Sequence, residues 1–221
     1  MTTSSGPQLS SPKIVLDLFA EGRKVAFAAG ATLFREGDPI TDVYCMDAGR
    51  VVVTRYTDNR ERQILAFLFP GDFLGMSFGP VFSTAAEALT AVTVWALPQS
   101  RLTAELATRP ELGLAFAEMS ARILNNVLDL VFTLGRKNSH ARVASFLLHL
   151  RDRQALLGLD TVRINVPMTR QDIADFLGLT METVSRAFTH LKTAGAIRIE
   201  GPADVSVVDL HKLNTEAGAL S

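Results

Sequence analysis

Three polar residues near the carboxyl end of the chain have the spacing of one helical surface. Glu182, Ser185 and Arg186 lie three and four positions apart, so in a helix their side chains project from one face. The Arg186 guanidinium can donate two hydrogen bonds to O6 and N7 of guanine, and the Glu182 carboxylate can accept one from N4 of cytosine. The Ser185 hydroxyl suits either base, and Met181 can contact a thymine methyl group. Together these side chains predict readout of base edges in a DNA major groove.

The residues around this surface predict two short helices joined by a tight turn. Thr169 is placed to cap the first helix, with Asp172 three residues later, as in a capping box. Gly178 can end that helix in a left-handed conformation, and Thr180 can cap the second helix. Two helices joined by a short glycine-centred turn are typical of a DNA-binding helix-turn-helix.

The second helix also carries an apolar face that can anchor it in the fold. Its residues lie at i, i+3, i+4 and i+7: Val184, Ala187, Phe188 and Leu191. Any surface helix can be divided in this way, but here a predicted hairpin of Ala196–Ile199 and Val205–Val208 follows and forms a wing. Residues flanking the two helices are expected to contact phosphate oxygens, which fix the register on DNA rather than the sequence. They are Thr169, Arg170, Gln171, Thr180 and Lys192.

A long helix is predicted upstream, over residues 110–135, with apolar residues on two sides. The expected dimer interface is a row at three- and four-residue steps: Phe116, Met119, Ile123, Val127, Leu130 and Leu134. A second apolar row consists of Leu114, Ala117, Leu124, Leu128 and Val131. Such a helix must pack against two partners, here its own β-domain and the same helix of a second subunit. A helix buried within one subunit has the same periodicity, so the pattern leaves both interpretations open.

Residues 14–109 are expected to form an antiparallel β-domain. Short runs rich in β-branched and aromatic residues, with turn residues among them, predict its strands: Val43–Met46, Arg50–Tyr56, Ile64–Phe69, Ala86–Thr93 and Val94–Leu97. Such strands indicate a barrel, roll or sandwich. Residues 1–13, polar and rich in Ser, Thr and Pro, predict a disordered leader. With residues 136–221 as the DNA-binding domain, the chain is expected to be of the α+β class.

Composition is consistent with this division. Residues 1–135 contain 11 Lys and Arg against 14 Asp and Glu, whereas residues 136–221 contain 11 against 9 and all four histidines. The mildly basic part is therefore the one with the predicted DNA-binding helices. A single cysteine, Cys45, excludes an internal disulfide and fits a reducing cytoplasm, and no apolar stretch is long enough to span a membrane.

Over nearly its whole length the chain resembles the Crp–Fnr superfamily of transcription regulators. The resemblance rests on Gly30–Gly37, Pro70–Gly75, the long helix and the winged helix-turn-helix. Residues 179–186 resemble the Fnr/FixK branch, whose recognition helix has Glu, Ser and Arg at these three positions. The resemblance implies a β-roll (jelly roll) of the cyclic-nucleotide-binding type and a homodimer on a TTGA–N6–TCAA-like inverted repeat. It also implies contact with RNA polymerase, usually in activation.

An effector pocket implied by the resemblance departs from the nucleotide-binding pattern. Its candidate residues are Gly71, Asp72, Leu74, Gly75, Met76, Ser83 and Thr84. Nucleotide-binding members hold ribose with a Gly-Glu pair and phosphate with an Arg-Ser pair, but here Met76 follows Gly75. No Lys or Arg occurs between Arg62 and Arg101. Because a buried phosphate without a cationic partner is costly, we expect no cyclic AMP site.

Other cofactors and activities have few supporting residues. One cysteine cannot hold an iron–sulfur cluster. The first histidine of the chain is His140, so the β-domain has no histidine to bind haem or the metal of a cupin-type enzyme. We therefore expect no cofactor, no metal and no enzyme. Cys45 is interpreted as a core residue, with a redox-sensitive thiol as the alternative.

Three alternatives stay open at this stage. One is a ligand-binding module that acts on a protein partner. The second is a repressor whose β-roll senses haem, redox state or an apolar molecule. The third is a dimer that is constitutively competent and controlled through its abundance, which the FixK-like resemblance favours.

Overall fold

The computed structural model describes residues 12–59, 61–76 and 79–218. The chain divides into two compact units, one ending at residue 125 and the other beginning at residue 126. Most of the expected leader, residues 1–11, lies outside the described residues, and its last residue, Lys13, already begins a helix. Within the described ranges no helix is both long and apolar enough to cross a membrane.

The first unit is a β-roll with flanking helices. In chain order its elements are α1 (Lys13–Ala20), β1 (Arg23–Phe27), β2 (Thr32–Phe34), β3 (Asp42–Ala48), β4 (Val51–Tyr56), β5 (Arg62–Leu68), β6 (Phe73–Leu74), β7 (Ala85–Ala88), β8 (Val92–Pro98) and α2 (Gln99–Thr108). The strands form two antiparallel four-stranded sheets, in the orders β1-β8-β3-β6 and β2-β7-β4-β5. This arrangement confirms the predicted fold class.

Alternation along β3 divides the core of this unit into two parts. Val43 and Cys45 belong to a cluster with the helices, whereas Met46 belongs to a cluster that joins strands of both sheets. Successive side chains of a strand point to opposite faces, so one strand can contribute to both clusters. Phe34 and Phe82 stack in the second cluster, with ring centroids 3.9 Å apart. Aromatic side chains therefore form part of the core of the roll.

The predicted strand Ala86–Thr93 is wrong as a single strand. The structure ends β7 at Ala88 and begins β8 at Val92. Between them the Thr90 hydroxyl accepts a hydrogen bond from the Arg50 N–H at 3.0 Å. The Leu89 N–H also donates to the Arg50 carbonyl at 2.9 Å, so this segment pairs with Arg50 where the two strands are interrupted.

The long helix α3 (Pro110–Arg136) has the predicted position but a different division of its apolar residues. Phe116 and Met119, expected in the dimer interface, are buried in the core of the β-roll unit. Their side chains are therefore not available to a second subunit. Leu130 and Leu134 are half-buried. The large apolar residues of α3 that are exposed are Leu114, Ile123 and Leu124 in the first unit and Val127, Leu128, Val131 and Phe132 in the second.

The second unit contains the winged helix-turn-helix. After the end of α3 its elements are α4 (Ser139–Leu156), β9 (Arg163–Asn165), α5 (Arg170–Leu177), α6 (Met181–Thr193), β10 (Ile197–Ile199), β11 (Asp204–Val207) and α7 (Leu210–Glu216). The strands pair antiparallel in the order β10-β11-β9. The β10–β11 hairpin lies where the wing is expected, β9 lies within the residues Val162–Val166 whose sequence predicts a short strand, and α7 follows the hairpin.

Candidate DNA-binding site

The turn between α5 and α6 has the local structure that its residues predict. The Thr169 hydroxyl accepts from the Asp172 N–H at 3.0 Å, and the Asp172 carboxylate accepts from the Thr169 N–H at 2.9 Å. This capping box satisfies two N–H groups at the start of α5. Gly178 ends the helix at φ 62°, and Thr180 caps α6 by accepting from the Thr183 N–H at 3.2 Å. The predicted caps are confirmed.

Helix α6 is held by a fully apolar face. Its four predicted anchors, Val184, Ala187, Phe188 and Leu191, are each at most 1% exposed. Burial of side chains of this size contributes about 1.5–3 kcal/mol each, except for the smaller alanine. Since the anchored face fixes the rotation of the helix, it also fixes which side chains remain outside.

The side chains predicted to read bases lie together on the exposed face of α6. Glu182, Ser185 and Arg186 are exposed, and Met181 is 44% exposed. The Ser185 hydroxyl donates to the Met181 carbonyl at 2.9 Å, and Arg186 Nη2 donates to the Thr183 hydroxyl at 3.2 Å. A carboxylate, a hydroxyl and a guanidinium thus occupy the first two turns of this helix, with hydrogen-bonding groups of the kinds that base edges pair with.

The five expected phosphate contacts have different surroundings. Lys192 and Thr180 are exposed, and the Thr169 and Thr180 hydroxyls serve as caps. Gln171 donates to the Asp175 carboxylate at 2.6 Å. Arg170 has its guanidinium 3.3 Å from the centre of the Phe188 ring, and its burial there lowers the pKa of the guanidinium. Arg170 therefore also connects α5 with α6, a role that sequence reasoning missed.

Arg142 is a second residue that sequence reasoning missed. Its guanidinium donates to three backbone carbonyls, those of Leu134 at 2.7 Å, Lys137 at 3.0 Å and Leu177 at 3.0 Å. Carbonyl groups at helix ends lack partners within the helix, so a side-chain donor can satisfy them. Arg142 thereby joins the end of α3 and the loop after it to the end of α5, next to the turn.

Two histidines meet near the far end of α6, His190 of that helix and His140 in the first turn of α4. The His190 ring stacks on His140 with centroids 4.3 Å apart and planes 6° apart, and its Nε2 is 3.0 Å from the Glu216 carboxylate. Parallel rings do not direct their nitrogen lone pairs at one point. Among the residues that the structure describes, no group of three or more His, Cys, Asp or Glu side chains is placed to hold a metal ion.

Several candidate effector residues of the β-roll make contacts that stabilise the fold itself. The Asp72 carboxylate accepts from the Phe69 N–H at 2.8 Å, and the Gly71 N–H donates to the Met46 carbonyl at 2.8 Å. Leu74 is buried in the core, whereas Met76 and Ser83 are exposed and Thr84 is half-buried. Gly75 has φ +83°, and a Cβ there would lie 3.2 Å from the Phe82 ring.

Cys45 has the surroundings of a core residue. Its side chain lies in the cluster between β3 and the helices, and the residue is 2% exposed. Burial, followed by the nearby Asp72 and Asp47 carboxylates, raises the pKa of the thiol to about 12. Because the thiolate is the reactive form, these surroundings oppose a redox role for this residue.

The fold and the site together define a class of protein. A β-roll, a long helix and a winged helix-turn-helix with an exposed polar recognition helix make up a DNA-binding transcription regulator. Residues 24–109 match the family described as cyclic nucleotide-binding domain, and residues 141–216 match the Crp-like helix-turn-helix domain.

Known proteins narrow this class to a family. The chain is 40% identical over 198 residues to the nitrogen fixation regulation protein FixK of Bradyrhizobium diazoefficiens, covering 90% of this chain and 83% of that protein. It is 37% identical over 195 residues to the transcriptional activatory protein AadR of Rhodopseudomonas palustris, covering 88% and 81%. The solved structure of FixK2 from Bradyrhizobium japonicum matches with a TM-score of 0.83 at 31% identity, covering 90% of this chain and 98% of FixK2. The chain belongs to the Crp–Fnr superfamily, in its Fnr/FixK branch, and is a regulator rather than an enzyme.

Proposed function

We propose that the chain is a homodimeric activator that binds a TTGA–N6–TCAA-like inverted repeat. The observation that carries the proposal is the exposed face of α6, where Glu182, Ser185 and Arg186 lie on a helix whose opposite face is fully buried. Arg186 donates to the guanine of each half-site, Glu182 accepts from the paired cytosine, and Ser185 contacts a neighbouring base. The half-sites are centred about one DNA turn, ~34 Å, apart.

The exposed apolar residues of α3 support the dimer. Ile123, Leu124, Val127 and Leu128 are between 49% and 57% exposed, and Val131 and Phe132 are more exposed still. Exposed apolar side chains grouped along a helix in this way mark interaction sites in soluble proteins. A second copy of α3 covers it in coiled-coil fashion and gives the protein the two-fold symmetry of the operator. The proposed interface thus keeps Ile123, Val127, Leu130 and Leu134 of the predicted row and omits the buried Phe116 and Met119. It adds Leu124, Leu128, Val131 and Phe132.

The contents of the β-roll support a regulator that needs no small-molecule effector. The Phe34 and Phe82 rings stack and the Tyr44 ring lies 6.1 Å from Phe34; a Cβ at Gly75 would lie 3.2 Å from the Phe82 ring and 3.3 Å from the Tyr44 ring, so aromatic side chains crowd this position. We infer that cyclic AMP does not bind and that the amount of protein sets its activity in the cytoplasm. Activation agrees with the name of AadR, a transcriptional activatory protein, and we infer that it proceeds through contact with RNA polymerase, as the family resemblance implies.

Binding to three duplexes tests the proposal. The first carries the inverted repeat, the second has five base pairs added between the half-sites, which turns one half-site by about half a turn, and the third is scrambled. We expect two chains per duplex on the first, and on the second an affinity close to that for the scrambled duplex. Binding of one chain, or equal affinity for all three, would contradict the proposal. Titration calorimetry with cyclic AMP is expected to show no heat of binding.

A further inference from the structure

The residue Thr183 lies between the helix cap and the proposed base-reading arginine. Arg186 Nη2 donates to the Thr183 hydroxyl at 3.2 Å, and the Thr183 and Thr180 hydroxyls are 3.0 Å apart. Thr180 in turn accepts from the Thr183 N–H at 3.2 Å. A chain of hydrogen bonds thus runs from the N-cap of α6 to the guanidinium.

The geometry points to Thr183 as a positioning residue that orients Arg186 for guanine. The inference rests on the proposed function and deepens it. Side chains of a helix lean toward its amino end, so Arg186 lies back over the residue three positions earlier, which is Thr183. Whichever hydroxyl donates between the two threonines, the Thr183 oxygen keeps a lone pair for Arg186.

This contact leaves the arginine able to read DNA. A guanidinium has five N–H donors, and the bond to Thr183 uses one of them. Two parallel N–H groups therefore remain for O6 and N7 of guanine. Because Arg186 is exposed, its long side chain would otherwise sample many rotamers and lose that freedom on binding. Holding the guanidinium in advance reduces this loss only for the base pair that Arg186 contacts.

The physical consequence is a change in discrimination rather than in overall affinity. Thr183→Val removes the hydroxyl but keeps the shape and the backbone N–H that Thr180 caps. We expect it to reduce the preference for G·C over A·T at the Arg186 position by roughly three- to tenfold. Preferences at the other positions, affinity for scrambled DNA and salt dependence stay unchanged. Thr183→Ser restores the preference, and Thr193→Val, at the other end of α6, is the matched control.

The measurement is fluorescence anisotropy with duplexes that differ at one base pair in each half-site. A double-mutant cycle compares Thr183→Val alone, Arg186→Ala alone and the protein with both substitutions. In the presence of Arg186→Ala, Thr183→Val is expected to have no further effect on discrimination. Equal loss on all duplexes with a smaller salt slope would assign Thr183 to phosphate contact and overturn the inference. Unchanged discrimination in Thr183→Val would also overturn it.

Two further controls keep the outcomes distinct. Thr183→Ala, which also lacks the hydroxyl, replaces Thr183→Val if the valine variant does not fold, and thermal melting by circular dichroism checks each protein. If the unsubstituted protein shows no preference at any base pair, the proposed function fails. If it discriminates but Thr183→Val and Thr183→Ala discriminate equally well, only the role of Thr183 fails.

Discussion

Replacing Arg142 should destabilise the second unit because one guanidinium satisfies carbonyls from three places in the chain. Arg142→Met keeps the length and the apolar part of the side chain but removes all three donors. The carbonyls of Leu134, Lys137 and Leu177 then depend on water. Since Arg142 is half-buried, water reaches them only in part.

The size of the effect follows from the three hydrogen bonds. A net contribution of about 1 kcal/mol for each gives about 3 kcal/mol, and partial replacement by water reduces the expected loss to about 2–3 kcal/mol. This is a large share of the ~5–15 kcal/mol that stabilises a typical domain. With a slope of about 2–3 kcal/mol per molar urea, the unfolding midpoint falls by about 1 M. Arg142→Lys carries a single ammonium in place of the planar guanidinium. Its unfolding midpoint is expected to lie between those of the unsubstituted protein and Arg142→Met.

Urea unfolding followed by circular dichroism, at one fixed protein concentration, measures this loss. Arg198→Met is the matched control, because Arg198 is exposed and its ion pair with Glu200, at 3.6 Å, is expected to contribute less than about 1 kcal/mol. If Arg142→Met and Arg198→Met shift the midpoint equally, the three carbonyl contacts do not stabilise the unit and the reasoning is refuted.

Three other predictions concern the dimer, the cysteine and acid stability. Leu128→Asp places a carboxylate on the exposed apolar face of α3 and should give monomers in analytical ultracentrifugation. The control variant Tyr56→Asp, at an exposed position of the β-roll, should remain dimeric. A dimeric Leu128→Asp would contradict the proposed interface. Cys45 should react with a thiol reagent only under denaturing conditions, and peroxide should leave DNA affinity unchanged, because its pKa of about 12 keeps the buried thiol protonated at neutral pH. The Lys24 ammonium, with hydrogen bonds from Thr93 and Trp95, lowers the pKa of Asp47. The ionised Asp47 carboxylate therefore stabilises the fold at pH values above its unfolded-state pKa. This stabilisation is lost as the pH falls through the lower pKa of the folded state. Asp47→Asn should therefore make stability less dependent on pH on the acid side, and an unchanged acid profile would argue against this contribution.

Local signals were sufficient to predict the helix-turn-helix in detail. Threonine caps, a left-handed glycine and apolar residues at i, i+3, i+4 and i+7 act within one or two turns of chain, so Thr169, Gly178 and Val184 have the conformations and burial that their types indicate. The same signals predicted which side chains of α6 remain exposed.

These local signals could not predict contacts between residues far apart in the chain. Periodicity along α3 shows which residues share a face, but not what covers that face, and Phe116 and Met119 are buried in the core of their own chain. Arg142 and Arg170 make contacts with residues 35 and 18 positions away, and nothing in their local sequence distinguishes them from surface arginines. Helix α1 has only eight residues, too few for a clear helical pattern next to the polar leader.

The central claim is that the exposed face of α6 reads base pairs, and Arg186→Ala tests it most directly. Affinities of this variant and of the unsubstituted protein are compared on the inverted repeat and on duplexes with each base pair of the half-site changed in turn. The account predicts a loss of about 1–3 kcal/mol per half-site on the inverted repeat and loss of preference at one G·C pair alone. An equal loss on every duplex, or full retention of that preference, would contradict it.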